Sequence, residues 1–437
     1  MKRSLFLTLV LVVVLALIAA CGGAAPTPES APAEKAESAA PTESAAEAPA
    51  EAPAAEAVTI VMWTKEGEAD GGLQYNQALA EAFMQENPNI TVEVVKKKDV
   101  EELREDFQTA ALAGNAPDLL WTVNDHAGPF TAAELIQPVD DLFDLSVYVE
   151  GALEAVQLDG KTWGVPISSG NHLMLLYNKK LIPEAPANTD ELIAKGKELA
   201  AQGVIPLVFN QTEPFWLVPW LGGFGGKVFA EDGVTPTLNT PEMVNTLKFL
   251  YDLKYEAQII PPESDYDGSD TLFKEGKAAM IINGDWSLSS YVEALGDDLG
   301  VAPIPQVSAT GKMPAPYTAG TYFMIPAGIE GPKLEAIKSF IQFVTNEENQ
   351  IKQVKELKRL PALKAAFDDE AITSDPILKG SVAQMAVGTG MPAVLEMRCN
   401  WDAMKPELQA VLADQKTPEQ AAADMQAAAE TCIKTLE

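Results

Sequence analysis

The chain has 437 residues, of which 47% are hydrophobic and 22% charged, and its 63 acidic and 31 basic residues give a formal net charge of −32. This length and apolar content suffice for two packed cores and exceed what one compact domain usually holds. A chain this acidic repels phosphate backbones, which excludes nucleic acid as a partner. Two histidines and three cysteines leave little for a metal site or for histidine-dependent catalysis, and we expect neither a metal nor a cofactor.

The first 20 residues have the pattern of a secretory signal peptide. Lys2 and Arg3 precede an apolar run at 5–18, which is too short to span a membrane, and small residues then lead to Cys21. This ending resembles a bacterial lipobox, in which Cys21 becomes the lipidated N-terminus of the mature protein. The alternative is an ordinary cleaved signal with an incidental cysteine. We expect an extracytoplasmic protein, lipid-anchored to the bacterial cell membrane.

Residues 21–57 are predicted to form a disordered tether. From position 22 onward they contain only Gly, Ala, Pro, Thr, Glu, Ser and one Lys. A stretch without aliphatic or aromatic side chains larger than alanine cannot offset the entropy of ordering. The folded body is therefore expected to begin at Val58.

The body alternates strand and helix patterns. Hydrophobic runs predict strands at 58–63, 90–95, 118–123, 206–209 and 278–282, and helical periodicity predicts helices at 73–85, 100–113 and 241–257. Strands separated by helices of this length indicate right-handed crossovers and a mostly parallel sheet, in an α/β fold.

The strand ends combine aromatic side chains with carboxylates and amides. Parallel sheets bind ligands beyond the carboxyl ends of their strands. A sugar ring stacks its apolar face on an aromatic ring, and its hydroxyls bond to carboxylates and amides. Four such ends therefore predict a carbohydrate site, although a single Trp is more often a core residue and a strand-end Asp can simply cap a helix. The residues at these ends are Trp63, Lys65 and Glu66; Trp121, Thr122, Asn124, Asp125 and His126; Asn210, Gln211, Glu213, Phe215 and Trp216; Asn283, Asp285 and Trp286.

The last two cysteines lie in two predicted helices. Helical periodicity covers 393–412 and 418–436, and the loop between them is centred midway between Cys399 and Cys432. An antiparallel hairpin would place the two thiols side by side. In an exported protein this predicts a disulfide, with two free buried thiols as the alternative.

A series of short motifs occurs in one order along the chain. They lie at 114–120, 177–179, 209–210, 213–214, 276–286, 300–305 and 391–392, followed by Trp401. In these motifs and their order the chain resembles the extracellular solute-binding proteins of ABC importers, most closely the maltose/maltodextrin-binding branch. The resemblance covers about residues 58–437. It implies a periplasmic-binding-protein-like type II fold, in which two α/β lobes close on a ligand by hinge bending.

The same resemblance implies the lobe boundaries. The N-terminal lobe would comprise residues 58–168 plus 323–370, and the C-terminal lobe residues 171–318 plus 376–437. Gly170 and Gly320 then fall in crossovers and are candidate hinge residues, unless they are two ordinary loop glycines.

The implied ligand-binding set keeps the aromatic platform of the family and changes its hydroxyl contacts. Thr122 stands where maltose binders carry a stacking Trp, and His126 replaces an arginine. Asn171 (or Gly170) replaces an acid, and Asp402 replaces an aromatic ring. A sugar or oligosaccharide is expected, but maltose itself is not specified. The set is Lys65, Glu66, Trp121, Thr122, Asn124, Asp125, His126, Asn171, Glu213, Phe215, Trp216, Trp286, Met391, Trp401 and Asp402.

The resemblance further implies a monomeric, non-enzymatic protein that hands its sugar to the transmembrane subunits of an ABC permease. Two other classes stay open at this point. A glycoside hydrolase would also carry tryptophan platforms and two carboxylates, for which Asp125 and Glu213 are the candidates. A structural or adhesive lipoprotein would carry the same signal peptide and tether.

Overall fold

A computed structural model describes residues 57–436 of the chain. The predicted signal peptide, the lipidation site Cys21 and all but the last residue of the tether lie outside the described residues. Within residues 57–436, no helix is both long and apolar enough to cross a membrane.

The strands that the sequence predicts are present to within about two residues at either end, apart from a slightly longer β10. The strands of the described part are β1 (Val58–Thr64), β2 (Ile90–Lys96), β3 (Leu119–Val123), β4 (Ile136–Gln137), β5 (Gln157–Leu158), β6 (Lys161–Thr162), β7 (Val165–Gly170), β8 (Leu173–Asn178), β9 (Ile205–Val208), β10 (Ala278–Gly284), β11 (Leu299–Ala302), β12 (Tyr317–Pro326), β13 (Leu360–Pro361) and β14 (Thr389–Gly390).

The predicted helices are likewise present, as α1, α2 and α7. The helices of the same region are α1 (Gly72–Glu86), α2 (Val100–Leu112), α3 (Ala127–Ala132), α4 (Glu150–Glu154), α5 (Thr189–Ala201), α6 (Val218–Phe224), α7 (Pro241–Tyr255), α8 (Tyr266–Lys274), α9 (Leu288–Leu295), α10 (Gly331–Val344), α11 (Glu347–Leu357), α12 (Glu370–Thr373), α13 (Pro376–Met385), α14 (Glu396–Leu412) and α15 (Pro418–Ile433).

Two main sheets organise the body. One has eight strands, with the central order β13-β7-β12-β3-β1-β2, and the other has four in the order β11-β8-β10-β9. Helices α1, α2, α4, α10 and α11 pack on the first sheet, and α5, α8, α9 and α13 pack on the second, next to the group α6, α7, α14 and α15. We call these two assemblies the first and the second lobe.

The expectation of mostly parallel sheets is wrong. Strand β1 runs parallel to β2 and β3, but β12 is antiparallel to β3 and β7. In the second lobe β9 and β10 are parallel, whereas β8 is antiparallel to β10 and β11. The reason is that the chain enters β8 straight from β7 of the other lobe, without the helical crossover that makes neighbouring strands parallel.

The two predicted hinge glycines are neighbours in space. Gly170 ends β7, just before the chain passes into β8, and has a φ of 112°, a value that favours glycine. Gly320 in β12 pairs with Ser169 of β7, and a Cβ there would lie 2.1 Å from the Ser168 carbonyl oxygen. A side chain at either position would be strained. The hinge role and the lobe boundaries stay predictions.

The hydrophobic core has a part in each lobe and a part common to both. In the first lobe Phe83, Trp121, Phe323 and Phe340 belong to one buried cluster, and the second lobe has a cluster of its own around β8 and β10. A larger cluster contains side chains of α2 and α3 together with side chains of α6, α7 and α14. The lobes are therefore in apolar contact in this structure.

The predicted disulfide is confirmed. Helices α14 and α15 pack against each other as a hairpin, and Cys399 is bonded to Cys432. The hairpin fits its sequence, because Thr417 caps α15 by accepting the Gln420 N–H and Pro418 takes the first helical position.

Candidate functional site

Single helical turns at the carboxyl ends of strands carry several of the predicted residues. A 3₁₀ turn at Asn124–His126 directly follows β3, another at Asp285–Ser287 directly follows β10, and a third at Pro214–Trp216 follows the loop after β9. Each turn leads into or close to a helix and borders the space beyond the strand ends. This is the region in which open α/β sheets bind ligands.

Four predicted aromatic side chains form a continuous group, which we call the aromatic row: Phe215, Trp216, Trp286 and Trp401. The ring centre of Phe215 lies 6.2 Å from that of Trp286 and 6.3 Å from that of Trp401, and Trp216 lies 6.3 Å from Trp286. Trp216 is buried and donates its indole N–H to the Ile282 carbonyl oxygen at 2.8 Å. The other three rings are half-buried, so part of each remains accessible.

Two tyrosines that the sequence did not single out extend this group. Tyr266 lies 6.2 Å from Trp216, and its hydroxyl oxygen accepts the Trp286 indole N–H at 3.0 Å. Tyr317 lies 6.0 Å from Trp401. Neither follows a strand, since Tyr266 opens α8 and Tyr317 opens β12, so the strand-end pattern could not reveal them.

Asp125 of the first lobe faces the aromatic row of the second. Its Oδ2 accepts the Trp401 indole N–H at 3.2 Å. Burial raises the pKa of Asp125 to about 6, an effect that the Trp401 hydrogen bond and Arg398 oppose and that Glu101 reinforces. Above this pH Asp125 presents a desolvated carboxylate beside an aromatic ring, which is a strong acceptor for a hydroxyl group.

The edge of the site carries paired charges. The predicted Glu213 is bonded to Lys405, and the predicted Asp402 is exposed and bonded to Arg398, which also bonds to Glu101 on α2. Lys405 follows Trp401 by four positions on α14, the spacing that places two side chains on one helix face. That spacing is the signal by which Lys405 could have been found.

Glu66 lies in a buried ion cluster rather than at an open surface. Its carboxylate is bonded to the Arg359 guanidinium at 2.8 Å, to the Lys65 ammonium at 2.9 Å and to the Trp121 indole N–H at 3.1 Å. Burial by itself would raise the pKa of Glu66, but Arg359 and Lys65 hold it well below its usual range. Arg359 was missed because a single arginine between α11 and β13 has no pattern around it.

Four residues of the predicted set lie in the core beneath the site. Trp121 is fully buried and packs edge-to-face on Phe323, with ring centres 5.1 Å apart. Thr122 Oγ1 and His126 Nδ1 share a hydrogen bond of 2.7 Å, and burial lowers the pKa of His126 to about 3, so the ring is neutral. The structure does not bring these side chains to the aromatic row.

Asn124, the fourth of these buried residues, joins two backbone segments that are far apart in the chain. Its side-chain N–H groups are donated to the Ala155 carbonyl oxygen at 3.0 Å and to the Met391 carbonyl oxygen at 2.9 Å. Met391 is itself buried and continues the pairing of β14 with β12. Asn124 and Met391 therefore act here by positioning the backbone.

Asn171 lies at the crossover from β7 to β8. It has a left-handed backbone with a φ of 45°, and its N–H is donated to Asp285 Oδ2 at 3.0 Å. Burial raises the pKa of Asp285, an effect that His172 and Arg359 oppose. The side chains named here belong to the crossover region rather than to the row.

Within residues 57–436 no group of three or more His, Cys, Asp or Glu side chains is arranged to hold a metal ion. The site instead offers aromatic faces, carboxylates and amines. Such a set can bind a neutral polar solute that has an apolar face.

The comparison with protein families decides the class of the protein. The family of bacterial extracellular solute-binding proteins matches residues 78–380. The chain belongs to this family. Members of the family bind a solute, and this solute-binding protein is therefore not an enzyme, which removes the glycoside hydrolase alternative.

Similar proteins bind oligosaccharides. The solute-binding protein is 28% identical over 355 residues to the maltotriose-binding protein of Pyrococcus abyssi, covering 79% of this chain and 76% of that protein. It is 27% identical over 378 residues to the galactooligosaccharide-binding protein of Bacillus subtilis, covering 83% of this chain and 86% of that one.

A solved structure supports the fold. The maltose/maltodextrin-binding domain MalE from Bdellovibrio bacteriovorus bound to maltotriose superposes with a TM-score of 0.82 and 36% sequence identity, covering 86% of this chain and all of that one. The two-lobe periplasmic-binding-protein-like fold that the sequence predicts is thereby confirmed.

Proposed function

We propose that this solute-binding protein captures a sugar or oligosaccharide of the maltodextrin type outside the cytoplasm and delivers it to an ABC permease. The observation that carries the proposal is the aromatic row of the second lobe, with Asp125 of the first lobe bonded to its last ring. A maltotriose-binding relative and the likeness to a maltotriose-bound domain support the choice of sugar.

The chemistry of the site suits a saccharide. The half-buried faces of Phe215, Trp286 and Trp401 offer apolar platforms for the C–H faces of successive sugar rings. Asp125 from one lobe and Glu213 from the other offer carboxylate acceptors for hydroxyl groups on the rims of the rings. Lys405 beside Glu213 adds a donor at the same edge.

Other members of the predicted set act behind this surface. The ion pairs of Glu66 with Lys65 and Arg359 hold the loop that follows β1. The turn that contains Asp125 is anchored by buried side chains, namely those of Trp121, Thr122, Asn124 and His126. In this proposal they position the ligand contacts of the first lobe. In the same way, Asp402 would position α14 and Met391 would position β14.

Transport requires exchange of the ligand, which hinge bending would provide. Rotation at Gly170 and Gly320 would separate the first lobe, 58–168 plus 323–370, from the second, 171–318 plus 376–437. The permease would recognise the closed, loaded form. Lipidation of Cys21 and the tether 21–57 would hold a monomer at the membrane, where it can turn toward the permease.

The proposal is tested by a thermal-shift screen of the mature protein against mono-, di- and oligosaccharides, followed by titration calorimetry with maltotriose. A ligand that binds only the folded protein raises its melting temperature. We expect malto-oligosaccharides to do so and to be recovered uncleaved. Failure of every saccharide to stabilise the protein would contradict the proposal.

Substitution of the aromatic row tests the assignment of the site. Trp286→Ala and Trp401→Ala should each weaken maltotriose binding by about 30-fold or more, the loss expected for a central aromatic contact of about 2 kcal/mol, and the Phe variants should lose less. Trp163→Ala is the control, because this half-buried first-lobe indole donates to the Leu158 carbonyl oxygen and is not one of the rings of the row. If Trp286→Ala and Trp401→Ala bound maltotriose as tightly as Trp163→Ala, the row would not be part of the ligand site.

A further inference from the structure

The loop between β1 and α1 is contacted by helices of the opposite lobe. Ser289 on α9 donates its hydroxyl to the Asp70 carbonyl oxygen at 3.0 Å, and the Lys274 ammonium at the end of α8 donates to the Ala69 carbonyl oxygen at 3.4 Å. The Tyr266 hydroxyl at the start of α8 lies 3.4 Å from Asp70 Oδ2. All three donors belong to the second lobe and all three acceptors to the first.

The loop is bonded to the first lobe at both ends, so these contacts join the first lobe to the second. The Leu73 N–H is donated to the Gly67 carbonyl oxygen at 2.9 Å, which closes the loop on the start of α1. At its other end Glu66 is bonded to Arg359 and Lys65. Opening of the lobes would therefore break the contacts of the loop with α8 and α9, because the loop would stay with the first lobe.

The same contacts reach the aromatic row. The Tyr266 hydroxyl oxygen accepts the Trp286 indole N–H at 3.0 Å, and it shares a hydrogen bond of 3.1 Å with Ser287 Oγ. One hydroxyl thus connects a ring of the row to the loop of the other lobe. A ligand that fixes the Trp286 indole also fixes the orientation of this hydroxyl.

Charged groups surround Asp70 on both sides of the junction. Burial raises the pKa of Asp70 to about 6, while Lys274 and Arg359 lower it and Asp270 and Glu66 raise it. A charged carboxylate is costly to bury. Replacing Asp70 would therefore change the charge at this junction and also remove the contact with Tyr266. The uncharged donors Ser289 and Tyr266 therefore give the cleaner test.

We propose that Ala69 and Asp70 form, with Tyr266, Lys274 and Ser289, an interlobe latch that stabilises the closed protein and ties its opening to the ligand on Trp286. The latch itself follows from the contacts between the lobes, whereas its link to a sugar rests on the proposed function. These are positioning residues, since they act on ligand release through closure of the lobes.

Neighbouring serines on α9 provide a matched pair of variants. Ser289→Ala removes the hydroxyl that crosses to Asp70, whereas Ser290→Ala removes a hydroxyl that bonds at 3.0 Å to the Ser287 carbonyl oxygen within its own segment. We expect maltotriose to leave the Ser289→Ala protein about three- to tenfold faster in stopped-flow tryptophan fluorescence, the effect of one lost hydrogen bond. Its association rate should change less, and Ser290→Ala should match the wild type.

Two tyrosines provide a second pair. Tyr266→Phe removes the hydroxyl of the latch, whereas Tyr251→Phe removes one that bonds to Asp414 Oδ1 at 3.0 Å within the second lobe. Only Tyr266→Phe should speed release. Combined with Ser289→Ala it should have less than the product of the two single effects, because both hydroxyls contact the same residue, Asp70.

A readout without sugar separates the latch from the proposed function. In small-angle scattering of the ligand-free proteins, Ser289→Ala and Tyr266→Phe should be more expanded than the wild type, and the two controls should not. This result supports the latch even if no saccharide binds. The latch is overturned if the latch variants match their controls in ligand-free scattering and, where maltotriose binds, in release rate.

Discussion

At the scale of single residues, the most consequential feature is the buried pair of Glu66 and Arg359. Both side chains are almost fully buried, with 2% and 3% of their surface exposed, and they lie 2.8 Å apart. Removing one charge from such a pair leaves the other charge without a partner in a medium of low polarity. This makes the pair a structural element of the loop that carries the latch.

We predict that Glu66→Gln lowers the free energy of unfolding by about 3 to 5 kcal/mol, because Arg359 is left without its partner. Glu68→Gln is the control, since Glu68 is 66% exposed and its ion pair with Lys96 should contribute at most about 1 kcal/mol. Urea unfolding followed by tryptophan fluorescence measures both. A loss as small as that of Glu68→Gln would contradict the structural role of the pair.

A second prediction concerns pH and Asp125. Because burial raises the pKa of Asp125 to about 6, its charged form destabilises the folded protein above that pH. This cost falls as the pH drops from about 6 toward 4 and is absent below the ordinary pKa of aspartate. Asp125→Asn keeps an oxygen for the Trp401 N–H, so it should stabilise the protein by about 1 to 3 kcal/mol at pH 7.5 and have little effect at pH 4.

Melting temperatures of the wild type and of Asp125→Asn at the two pH values measure this difference. Asp402→Asn serves for comparison, because Asp402 is 55% exposed and paired with Arg398, and should show no such gain at pH 7.5. The same shift for Asp125→Asn at pH 4 and pH 7.5 would show that the carboxyl does not titrate with a raised pKa.

At the scale of elements, α14 joins the site to the disulfide. It carries Trp401 and Lys405 toward the site, while Cys399 ties it to α15. The cysteines are 33 positions apart, and in the chain-entropy account a loop of this length stabilises the fold by about 3 to 4 kcal/mol.

We predict that the double variant Cys399→Ser/Cys432→Ser melts at a lower temperature but binds maltotriose with nearly unchanged affinity at 25 °C, since α7 also packs against α14 and α15. Alkylation of the unreduced, denatured wild type should leave both cysteines unmodified in peptide mass spectra. Labelling of both would show that the bond does not form in the isolated protein.

Local patterns predicted the elements well and the tertiary contacts of the site only in part. Alternating strands and helices placed β1, β2, β3, α1 and α2, and the loop with Thr-Pro placed the α14–α15 hairpin. The strand-end pattern found Phe215, Trp216 and Trp286 of the row, whereas Trp401 came from the family resemblance. The pattern could not separate Trp121, which is core, from Trp286, which is not. That difference depends on which face of a strand meets another element, and sequence alone does not give it.

Residues that pair over long distances in the chain were beyond such reasoning. Tyr266, Arg359 and Asp70 lie far apart in the chain, and no local spacing connects them. The antiparallel course of β8 and β12 was missed for the same reason, because it results from the path of the chain between lobes.

At the scale of the whole molecule, the two lobes meet around a row of aromatic rings. The contacts of Asp125 with Trp401, of Glu101 with Arg398 and of Asp70 with Ser289 join the lobes at separate places. Loss of one contact should therefore change the rate of opening without abolishing closure. This predicts graded effects among interlobe variants, measurable as ligand release rates.

Calorimetric titration of the mature protein with maltotriose tests the central claim most directly. The account predicts saturable binding of about one sugar per chain, strongly weakened by Trp286→Ala and unaffected by Trp163→Ala, with the sugar recovered intact. Absence of heat with maltotriose and with every other saccharide that is titrated would contradict the claim that this protein holds a carbohydrate between its lobes.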